Sequence, residues 1–170
     1  MVAAQMYYSL LGRDVEQDTM PFLDDAGLGL VVWSPLAGGF LSGRYSRQPV
    51  ADGGRLTGDD FIPTDREQGH RVVEVLAEIA AARGKASIAQ VALAWLLARP
   101  AVSAVLIGAS SEAQLEENLG SAELALTGQE IARLAALTAP GLRYPNWFDD
   151  RTADELVPAA LADAGGCTRG

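Results

Sequence analysis

The sequence predicts an α/β fold with a small parallel sheet, and two features lead to this prediction. Three short apolar runs suited to β-strands alternate with segments in which apolar residues recur at helical spacing. Because strands connected through helices usually lie parallel, this alternation indicates βαβ units. A complete barrel needs eight such units, so the predicted sheet of three strands stays open.

The first βαβ unit is predicted at the N-terminal end. Val2 to Tyr8 is a short apolar strand candidate, and Asp14 to Ala26 follows with a helical pattern that ends at Gly27. Leu28 to Ser34 is rich in β-branched residues and stops at Pro35. This second run therefore predicts a strand that is buried on both faces.

Two helices are predicted in the middle of the chain. Ser46 to Ile62 is polar and rich in glycine, which is typical of a surface excursion. Thr64 and Glu67 then have the spacing of a capping box at the start of an amphipathic helix. Ser87 and Gln90 have the same spacing before IAQVALAWLLARP, which is apolar nearly all round. A helix of that composition is expected to be largely buried.

The third strand and two more helices are predicted in the last part of the domain. Ala104 to Ile107 is the strand candidate, and the turn Gly108 to Ser111 leads into a helix over Glu112 to Ala122. A further capping box begins the helix Thr127 to Leu137. We therefore predict one domain over residues 1–148 and an acidic tail rich in Ala and Gly, frayed or weakly helical, over 149–170.

The composition excludes several classes of function. A formal net charge of -9 would repel nucleic-acid phosphates, so no nucleic-acid partner is expected. The single cysteine, Cys167, can form neither a disulfide nor a cysteine metal site within one copy, which favours a cytoplasmic setting without metal. The longest apolar run, Leu28 to Leu41, is interrupted by Pro35 and two glycines, so no membrane span is predicted.

Four sequence blocks together resemble one known family. They are QMYYSLLGRDVE at 5–16, GLVVWSPLAGGFLSGRY at 29–45, SIAQVALAWLLARPAVSAVLIGASSEAQLEENL at 87–119 and LTGQEIARLAAL at 126–137. In this order and spacing they are similar to the C-terminal half of an aldo-keto reductase. The resemblance covers Val2 to Phe148 and is closest to the bacterial branch with a W-S-P-L-A-G-G loop and an I-G-A-S segment.

The resemblance implies a partial (β/α)₈ TIM barrel that is not closed. Val2 to Tyr8 would be the sixth strand, Leu28 to Ser34 the seventh and Ala104 to Ile107 the eighth. In the family, NADP(H) lies extended across the C-terminal ends of the strands. Such barrels commonly hold phosphates in the loops after strands seven and eight, beside a helix N-terminus.

The resemblance also implies contacts to the nicotinamide and the pyrophosphate. Gln5 would hydrogen-bond the nicotinamide carboxamide, and Trp33 would stack against the nicotinamide ring. The loop over the pyrophosphate would use small residues for close approach and an arginine for a charge-assisted contact. Its members would be Ser34, Leu36, Gly38, Gly43 and Arg44.

On the adenosine side, the turn after the eighth strand would present backbone N–H groups to a phosphate. This turn consists of Gly108, Ala109, Ser110 and Ser111. Gln114, Glu117 and Asn118 are spaced three and four residues apart, so one helix face would present them to the adenosine.

Several of these residues also have a purely structural interpretation. Trp33 suits a buried strand, Gly38 with Gly39 suits a turn, and Ser111 with Gln114 suits a helix cap. A solvated surface position is an equally good interpretation for Arg44, Glu117 and Asn118.

The preference for NADP(H) comes from the resemblance alone. Many members of the family have a Lys or Arg within the segment that matches Gly108 to Gln114, where it binds the 2′-phosphate. This sequence has no basic residue between Arg99 and Arg133. NAD(H) therefore remains open as the cofactor.

The family's chemistry is hydride transfer to a carbonyl, assisted by Tyr, Lys, Asp and His residues in the first half of the barrel. None of the four has a counterpart here, and the only histidine and lysine, His70 and Lys85, are distant in sequence from every tyrosine. We therefore assign no catalytic residue and expect the chain to be inactive alone. Its substrate is not specified by the sequence.

Three hypotheses remain open from the sequence. In the first, the chain completes a barrel with an N-terminal half-barrel chain or is a truncated reductase. In the second, it is a non-catalytic module that binds nicotinamide dinucleotide. In the third, it is an oligomerising interaction protein. The last two follow from the missing catalytic residues and from the exposed sheet edges, which favour self-association.

Overall fold

The computed structural model describes residues 2–45 and 62–152. The predicted surface excursion, apart from Ile62, and the tail from residue 153 onward lie outside the described residues. The chain divides into two compact units, one ending at Pro140 and one beginning at Gly141. The first unit contains every residue that we assign to a cofactor site.

The sheet has three parallel strands, which confirms the predicted α/β class. They are β1 (Ala3–Tyr7), β2 (Gly29–Trp33) and β3 (Val102–Val105), in the order β1-β2-β3. The third strand begins two residues before the predicted Ala104 and ends two before Ile107. Pairing starts this early because the carbonyl of Ala101 already accepts a hydrogen bond from the Leu30 N–H at 2.9 Å.

The two faces of the sheet differ in burial. Leu30 and Val32 on β2 are fully buried in the main hydrophobic core. Their neighbour Val31 points to the opposite face and lies level with Gln5 and Ala104, both of which are exposed. The prediction that β2 is buried on both faces is therefore wrong, because helices of the described chain cover only one face. We call the other face the open face.

The first predicted helix is divided in two. Asp14–Glu16 forms one 3₁₀ turn, and α1 spans Thr19–Asp25. A continuous helix would need a hydrogen bond from residue 21 to the carbonyl of Gln17, which Pro21 cannot donate. Gly27, with a φ of 64°, ends the segment as predicted.

Helix α2 spans Arg66–Ala82 and begins one residue later than the predicted capping box. Asp65 is the N-cap, because its carboxylate accepts hydrogen bonds from the backbone N–H groups of Glu67 and Gln68, each at 3.0 Å. The Thr64 hydroxyl instead donates to the carbonyl of Ile62 at 3.1 Å. The prediction of Thr64 as the cap is therefore wrong.

The other two predicted capping boxes are confirmed. Ser87 and Gln90 cap α3 (Ile88–Leu97), and Thr127 and Glu130 cap α5 (Gly128–Leu137). Between them, α4 spans Glu112–Leu119 and continues as a 3₁₀ turn over Gly120–Glu123. Every residue of α3 from Val91 to Leu96 is buried, as its all-round apolar sequence predicts.

A partly exposed ion pair connects the end of α2 to α5. The Arg83 guanidinium, at the end of α2, donates to both carboxylate oxygens of Glu130 on α5 and to the carbonyl of Ala125. The hydrogen bonds from Arg83 are the main reason that the pKa of Glu130 falls to about 2. Glu130 therefore remains charged, and the pair stays formed, across the physiological pH range.

The second unit is described over residues 141–152 and contains α6 (Asn146–Thr152). A cis peptide bond joins Tyr144 to Pro145. Within this helix the Arg151 guanidinium lies 5.6 Å from the ring centroid of Trp147. Among the helices of residues 2–45 and 62–152, none combines the length and apolarity that a bilayer crossing requires.

Candidate functional site

The candidate site lies at the edge of the sheet where all three strands end. Because β1, β2 and β3 are parallel, the segments that follow them leave the sheet at the same edge. These segments are the turn after Tyr7, the loop after Trp33 and the turn after Val105. Ligands of parallel α/β folds commonly bind at this edge.

Two aromatic residues lie side by side at the ends of β1 and β2. Tyr7 and Trp33 are paired in the sheet register, and their ring centroids are 5.3 Å apart with planes inclined at 43°. Both rings are partly exposed on the open face, and Gln5 is on the same face two residues earlier. The structure therefore brings together the two residues predicted to contact a nicotinamide.

The loop after β2 has an unusual backbone conformation. Ser34 and Ala37 have φ angles of 50° and 48°, and Gly38, Gly39 and Gly43 also have positive φ angles. Residues other than glycine rarely adopt such φ angles, and residues that do adopt them often occur at binding sites. The Ser34 hydroxyl oxygen accepts a hydrogen bond from the Gly38 N–H at 3.1 Å, which stabilises the turn.

Side chains from α2 and α3 fix this loop against the core. Phe40 is buried and lies so close to Gly69 that a Cβ atom there would be 2.6 Å from the phenyl Cε1. Similarly, a Cβ atom at Gly43 would be 2.8 Å from Cδ1 of Ile88. His70 on α2 is half-buried, and its ring centroid lies 5.1 Å from that of Phe40.

The remaining two predicted loop residues differ in exposure. Leu36 is half-buried and packs against the core cluster. Arg44 is exposed directly after Gly43. The guanidinium of Arg44 is thus accessible to a ligand bound outside this loop.

The turn after β3 is exposed over Gly108 to Ser111. The Ser111 hydroxyl accepts a hydrogen bond from the Gln114 N–H at 3.2 Å, which makes Ser111 the N-cap of α4. The Gln114 side-chain oxygen accepts hydrogen bonds from both the N–H (2.8 Å) and the hydroxyl (3.0 Å) of Ser110. The capping interpretation of these residues therefore holds in this structure, and Gln114 fixes the turn from within the chain.

The three predicted adenosine contacts on α4 do not share one accessible face. Glu117 is exposed and Gln114 is partly exposed, whereas Asn118 is only 3% exposed. Asn118 instead lines a half-open pocket of about 150 Å³. The other residues lining this pocket are Leu93, Leu97, Val105, Ile107, Leu119, Ser121 and Ala122.

Sequence patterns did not single out two features near this site. One is Tyr7, which the two-residue alternation along β1 places on the same face as Gln5. The other is the buried ion pair between Arg13 and Glu16, directly after the turn that follows β1. Only an RxxE spacing marks this pair in the sequence, and that spacing is common on protein surfaces.

The Tyr7 hydroxyl is an ionisable group at this edge of the sheet, and its surroundings shift its pKa. Burial is the main factor that raises the pKa of Tyr7, the charge of Asp14 also raises it, and the hydrogen bond with Ser9 lowers it. The Tyr7 hydroxyl therefore stays protonated at neutral pH. No group of three or more His, Cys, Asp or Glu side chains suited to a metal ion occurs in the described part of the chain.

Comparison with known proteins connects this architecture to one family. The model of the aldo/keto reductase family matches residues 1–139. An uncharacterized oxidoreductase, YrpG of Bacillus subtilis (strain 168), is 36% identical over 143 residues, which are 83% of this chain and 41% of that protein. A probable voltage-gated potassium channel subunit beta of Oryza sativa subsp. japonica is 32% identical over 143 residues, 80% of this chain and 43% of that protein.

A third relative is named for its reaction. The versiconal hemiacetal acetate reductase of Aspergillus parasiticus is 27% identical over 146 residues, which are 85% of this chain and 42% of that protein. The chain thus spans about two fifths of the length of the curated relatives that it matches. Since the family model matches most of its residues, this chain belongs to the aldo/keto reductase family.

Proposed function

We propose that this chain is the cofactor-binding part of an aldo-keto reductase, corresponding to strands six to eight of the barrel, and that it binds NADP(H). The observation that carries the proposal is the single edge at which three parallel strands end. Three features lie at that edge: the ring of Trp33, the strained loop over Ser34 to Gly43, and the exposed turn Gly108 to Ser111. An extended dinucleotide needs such a row of contacts.

The residues at this edge fit the chemistry of a dinucleotide. The partly exposed indole of Trp33 offers a surface for a flat ring, and the Gln5 amide on the same face can hydrogen-bond a carboxamide. At Gly108, a Cβ atom would have no neighbour within 4 Å, so the backbone there is open to a phosphate. When bound, NADP(H) supplies the hydride for carbonyl reduction.

Loop and helix residues hold the rest of the cofactor in this proposal. The positive φ angles at Ser34 and Gly38 turn the loop so that it passes over the pyrophosphate, with Arg44 as the charged contact. Ser110 and Ser111 contact the adenosine-side phosphate at the beginning of α4. Gln114 and Glu117 reach the adenosine from outside the helix, whereas Asn118 reaches it only from within the pocket that it lines.

We further propose that the catalytic Tyr, Lys, Asp and His come from strands outside residues 1–170. A tyrosine that donates a proton to a carbonyl works best with a pKa lowered toward neutrality. Tyr7 has a raised pKa instead, and its hydroxyl is hydrogen-bonded to Ser9. The chain alone is therefore a nucleotide-binding module without reductase activity.

The open face supports this division of roles. Gln5, Ala104 and the partly exposed Val31 form a surface that the described helices leave uncovered. In the described sheet, β1 and β3 each have one edge without a neighbouring strand. Strands that complete the barrel would cover the open face and pair with these two edges. Without them, the exposed edges and apolar surface favour aggregation.

Nucleotide binding is tested by titrating the chain with NADPH and NADP⁺ while its tryptophan fluorescence is recorded. We expect saturable quenching, because a ring stacked on Trp33 quenches the indole. Trp33→Phe is the control that separates this signal from Trp95 and Trp147, and it should lose the ligand-dependent part. Emission that does not change up to millimolar concentrations of either nucleotide, in a folded sample, contradicts the proposal.

Catalytic competence is tested by coexpressing the chain with the N-terminal part of a related barrel. We expect a soluble complex that oxidises NADPH in the presence of aldehydes or ketones, whereas the chain alone does not. Trp33→Ala in the same complex serves as a control for cofactor positioning. A soluble complex with no turnover across a carbonyl panel argues for a non-catalytic module, and a stable self-made dimer in ultracentrifugation argues for an oligomerising protein.

A further inference from the structure

Tyr7 lies on the open face at the end of β1, directly beside the Trp33 indole. The two residues are partners in the sheet register, with ring centroids 5.3 Å apart and planes inclined at 43°. Neighbouring side chains on one face of a sheet stand side by side, so each limits the rotation of the other. The phenol of Tyr7 therefore restricts how far the indole can swing toward β1.

The turn after β1 holds the Tyr7 ring itself in place. Ser9 and Gly12 exchange two backbone hydrogen bonds, at 3.2 and 3.1 Å. The Ser9 hydroxyl, which is fully buried, accepts a hydrogen bond from the Leu11 N–H at 3.1 Å and lies 3.0 Å from the Tyr7 hydroxyl. The distal end of the phenol is thus attached to a closed turn.

Gly12 provides the space that the phenol occupies. A Cβ atom at this position would lie 2.2 Å from Cε1 and 2.6 Å from Cζ of Tyr7, closer than real side-chain contacts allow. Gly12 is not among the glycines with a positive φ angle, so its backbone conformation does not require glycine. The close approach of the Tyr7 ring does. Any side chain at position 12 would displace the Tyr7 ring.

The turn is also anchored to the core on its far side. The Arg13 guanidinium donates hydrogen bonds to the carbonyl of Ala135 at 2.6 Å and to the hydroxyl of Thr138 at 2.9 Å. Tyr8, which follows Tyr7 and points into the core, donates to the Glu16 carboxylate at 2.5 Å. The turn that holds Tyr7 is therefore immobilised, and the constraint reaches Trp33 through the phenol.

We propose that Tyr7 is a positioning residue that fixes the orientation of Trp33 for stacking of the nicotinamide ring. This inference rests on the proposed function, because it assumes that Trp33 contacts the nicotinamide. An aromatic side chain that is already fixed loses less conformational entropy on binding than a mobile one. The contribution of Tyr7 should therefore affect only the nicotinamide half of the ligand.

The binding test compares NADP⁺ with adenosine 2′,5′-bisphosphate, which has the same adenosine end but no nicotinamide. We expect Tyr7→Ala to weaken NADP⁺ binding by about 2- to 10-fold, the range for loss of one aromatic pair, and to leave the bisphosphate unchanged. Gly12→Ala should reproduce this effect by displacing the Tyr7 ring, although both Tyr7 and Trp33 are still present. Tyr7→Phe keeps the ring and should restore most of the affinity.

A second measurement does not depend on any ligand. Nitrogen-15 relaxation of the Trp33 indole N–H, identified by its absence in Trp33→Phe, reports the order of this side chain. We expect the order parameter of this indole to fall in Tyr7→Ala, from a value near that of rigid backbone (about 0.85) toward that of flexible segments (about 0.6). Tyr144→Ala, a substitution at an exposed tyrosine of the second unit, is the matched control and should change neither order nor binding.

The outcomes separate this inference from the proposed function. If Tyr7→Ala leaves both the Trp33 order parameter and NADP⁺ affinity at their wild-type values, the inference is overturned. Equal weakening of NADP⁺ and the bisphosphate also overturns it, because a general loss of structure would explain both. A wild-type chain that binds neither ligand contradicts the proposed function, and the order parameter then still decides whether Tyr7 fixes Trp33.

Discussion

Replacing Arg13 with alanine is expected to lower the free energy of unfolding of the first unit by about 3–5 kcal/mol, the usual cost of removing one partner from a buried ion pair. The Arg13 side chain is 8% exposed and that of Glu16 is 16% exposed. The guanidinium donates to both carboxylate oxygens of Glu16, at 2.8 and 2.7 Å. Without it, the buried carboxylate loses its main counter-charge.

The same arginine connects parts of the chain that are far apart in sequence. Its Nη1 atom donates to Ala135 and Thr138 at the end of α5. Its guanidinium carbon also lies 5.3 Å from the ring centroid of Trp95 in α3. Because Arg13 holds the turn after β1, α3 and α5 together, its loss affects the folded state at several contacts.

Chemical denaturation followed by circular dichroism measures this prediction, with Arg71→Ala as the matched control. Arg71 forms an exposed ion pair with Glu67 at 3.3 Å, and its side chain is 51% exposed. Exposed pairs contribute less than about 1 kcal/mol, so the control should change stability little. A loss below about 1 kcal/mol for Arg13→Ala would contradict our account of the buried pair.

The effect of Arg13→Ala should also depend on pH. Burial alone would raise the pKa of Glu16, but hydrogen bonds from Arg13 and Tyr8 and the nearby arginine charges outweigh it and hold the pKa below its ordinary value. Glu16 therefore stabilises the wild type above the unfolded pKa, and this contribution is lost as the pH falls through the folded pKa. In Arg13→Ala, fewer interactions offset the burial of the Glu16 carboxylate, so its charged form is less stable in the folded state. The difference in stability between the wild type and the variant is therefore largest near neutral pH, and it shrinks in acid, where Glu16 is protonated.

Trp95→Ala is the second substitution with a large expected effect, a loss of about 3–5 kcal/mol in the free energy of unfolding. Trp95 is fully buried in α3, and its ring centroid lies 5.7 Å from that of Tyr8. The guanidinium carbons of Arg13 and Arg99 lie 5.3 and 5.2 Å from the indole centroid. Alanine would leave a cavity and remove the aromatic contacts of both cations.

Trp95→Phe is expected to cost less than half as much as Trp95→Ala. The indole Nε1–H is the one buried side-chain polar atom without a hydrogen-bond partner in the described residues. Burying such a donor costs about 1–3 kcal/mol, and phenylalanine removes it while keeping a ring beside the two arginines. Removing this free-energy penalty offsets part of the stability that is lost because phenylalanine fills less volume than tryptophan.

The same denaturation experiment measures both Trp95 variants, with Phe22→Ala as the control for loss of an aromatic side chain. Phe22 is 58% exposed, so its removal should change stability by no more than about 0.5 kcal/mol. If phenylalanine proves as destabilising as alanine, the unpaired Nε1–H does not carry the cost that we assign to it.

Local features of the chain were predictable because their causes lie within a few residues. The capping boxes Ser87–Gln90 and Thr127–Glu130 involve side chains and N–H groups three positions apart, so the sequence contains both partners. At α2 the same reasoning misplaced the cap by one residue. Asp65 and Thr64 are adjacent and both can cap, and in the structure Asp65 accepts the helix N–H groups whereas the Thr64 hydroxyl donates to the Ile62 carbonyl.

The candidate site was predictable only in part, and chiefly through the family resemblance, which assigned Gln5 and Trp33 to the nicotinamide. The glycines after Pro35 indicate a turn. That Gln5 and Trp33 share one face depends on the register between β1 and β2, which only the structure shows. The burial of Asn118 was not predictable, because a spacing of four residues on α4 does not specify what packs beside it. Its exposure depends on the position of α3 relative to α4.

The sequence by itself determined the order of the elements, the parallel sheet and the family, since these depend on local patterns and on blocks of adjacent residues. Only the tertiary structure decided that the helices cover one face of the sheet, that Tyr7 contacts Trp33 and that Arg13 reaches Ala135 across 122 positions. Such contacts depend on how separate elements pack, and packing depends on the shape and volume of many side chains at once. No pattern within a single segment contains that information.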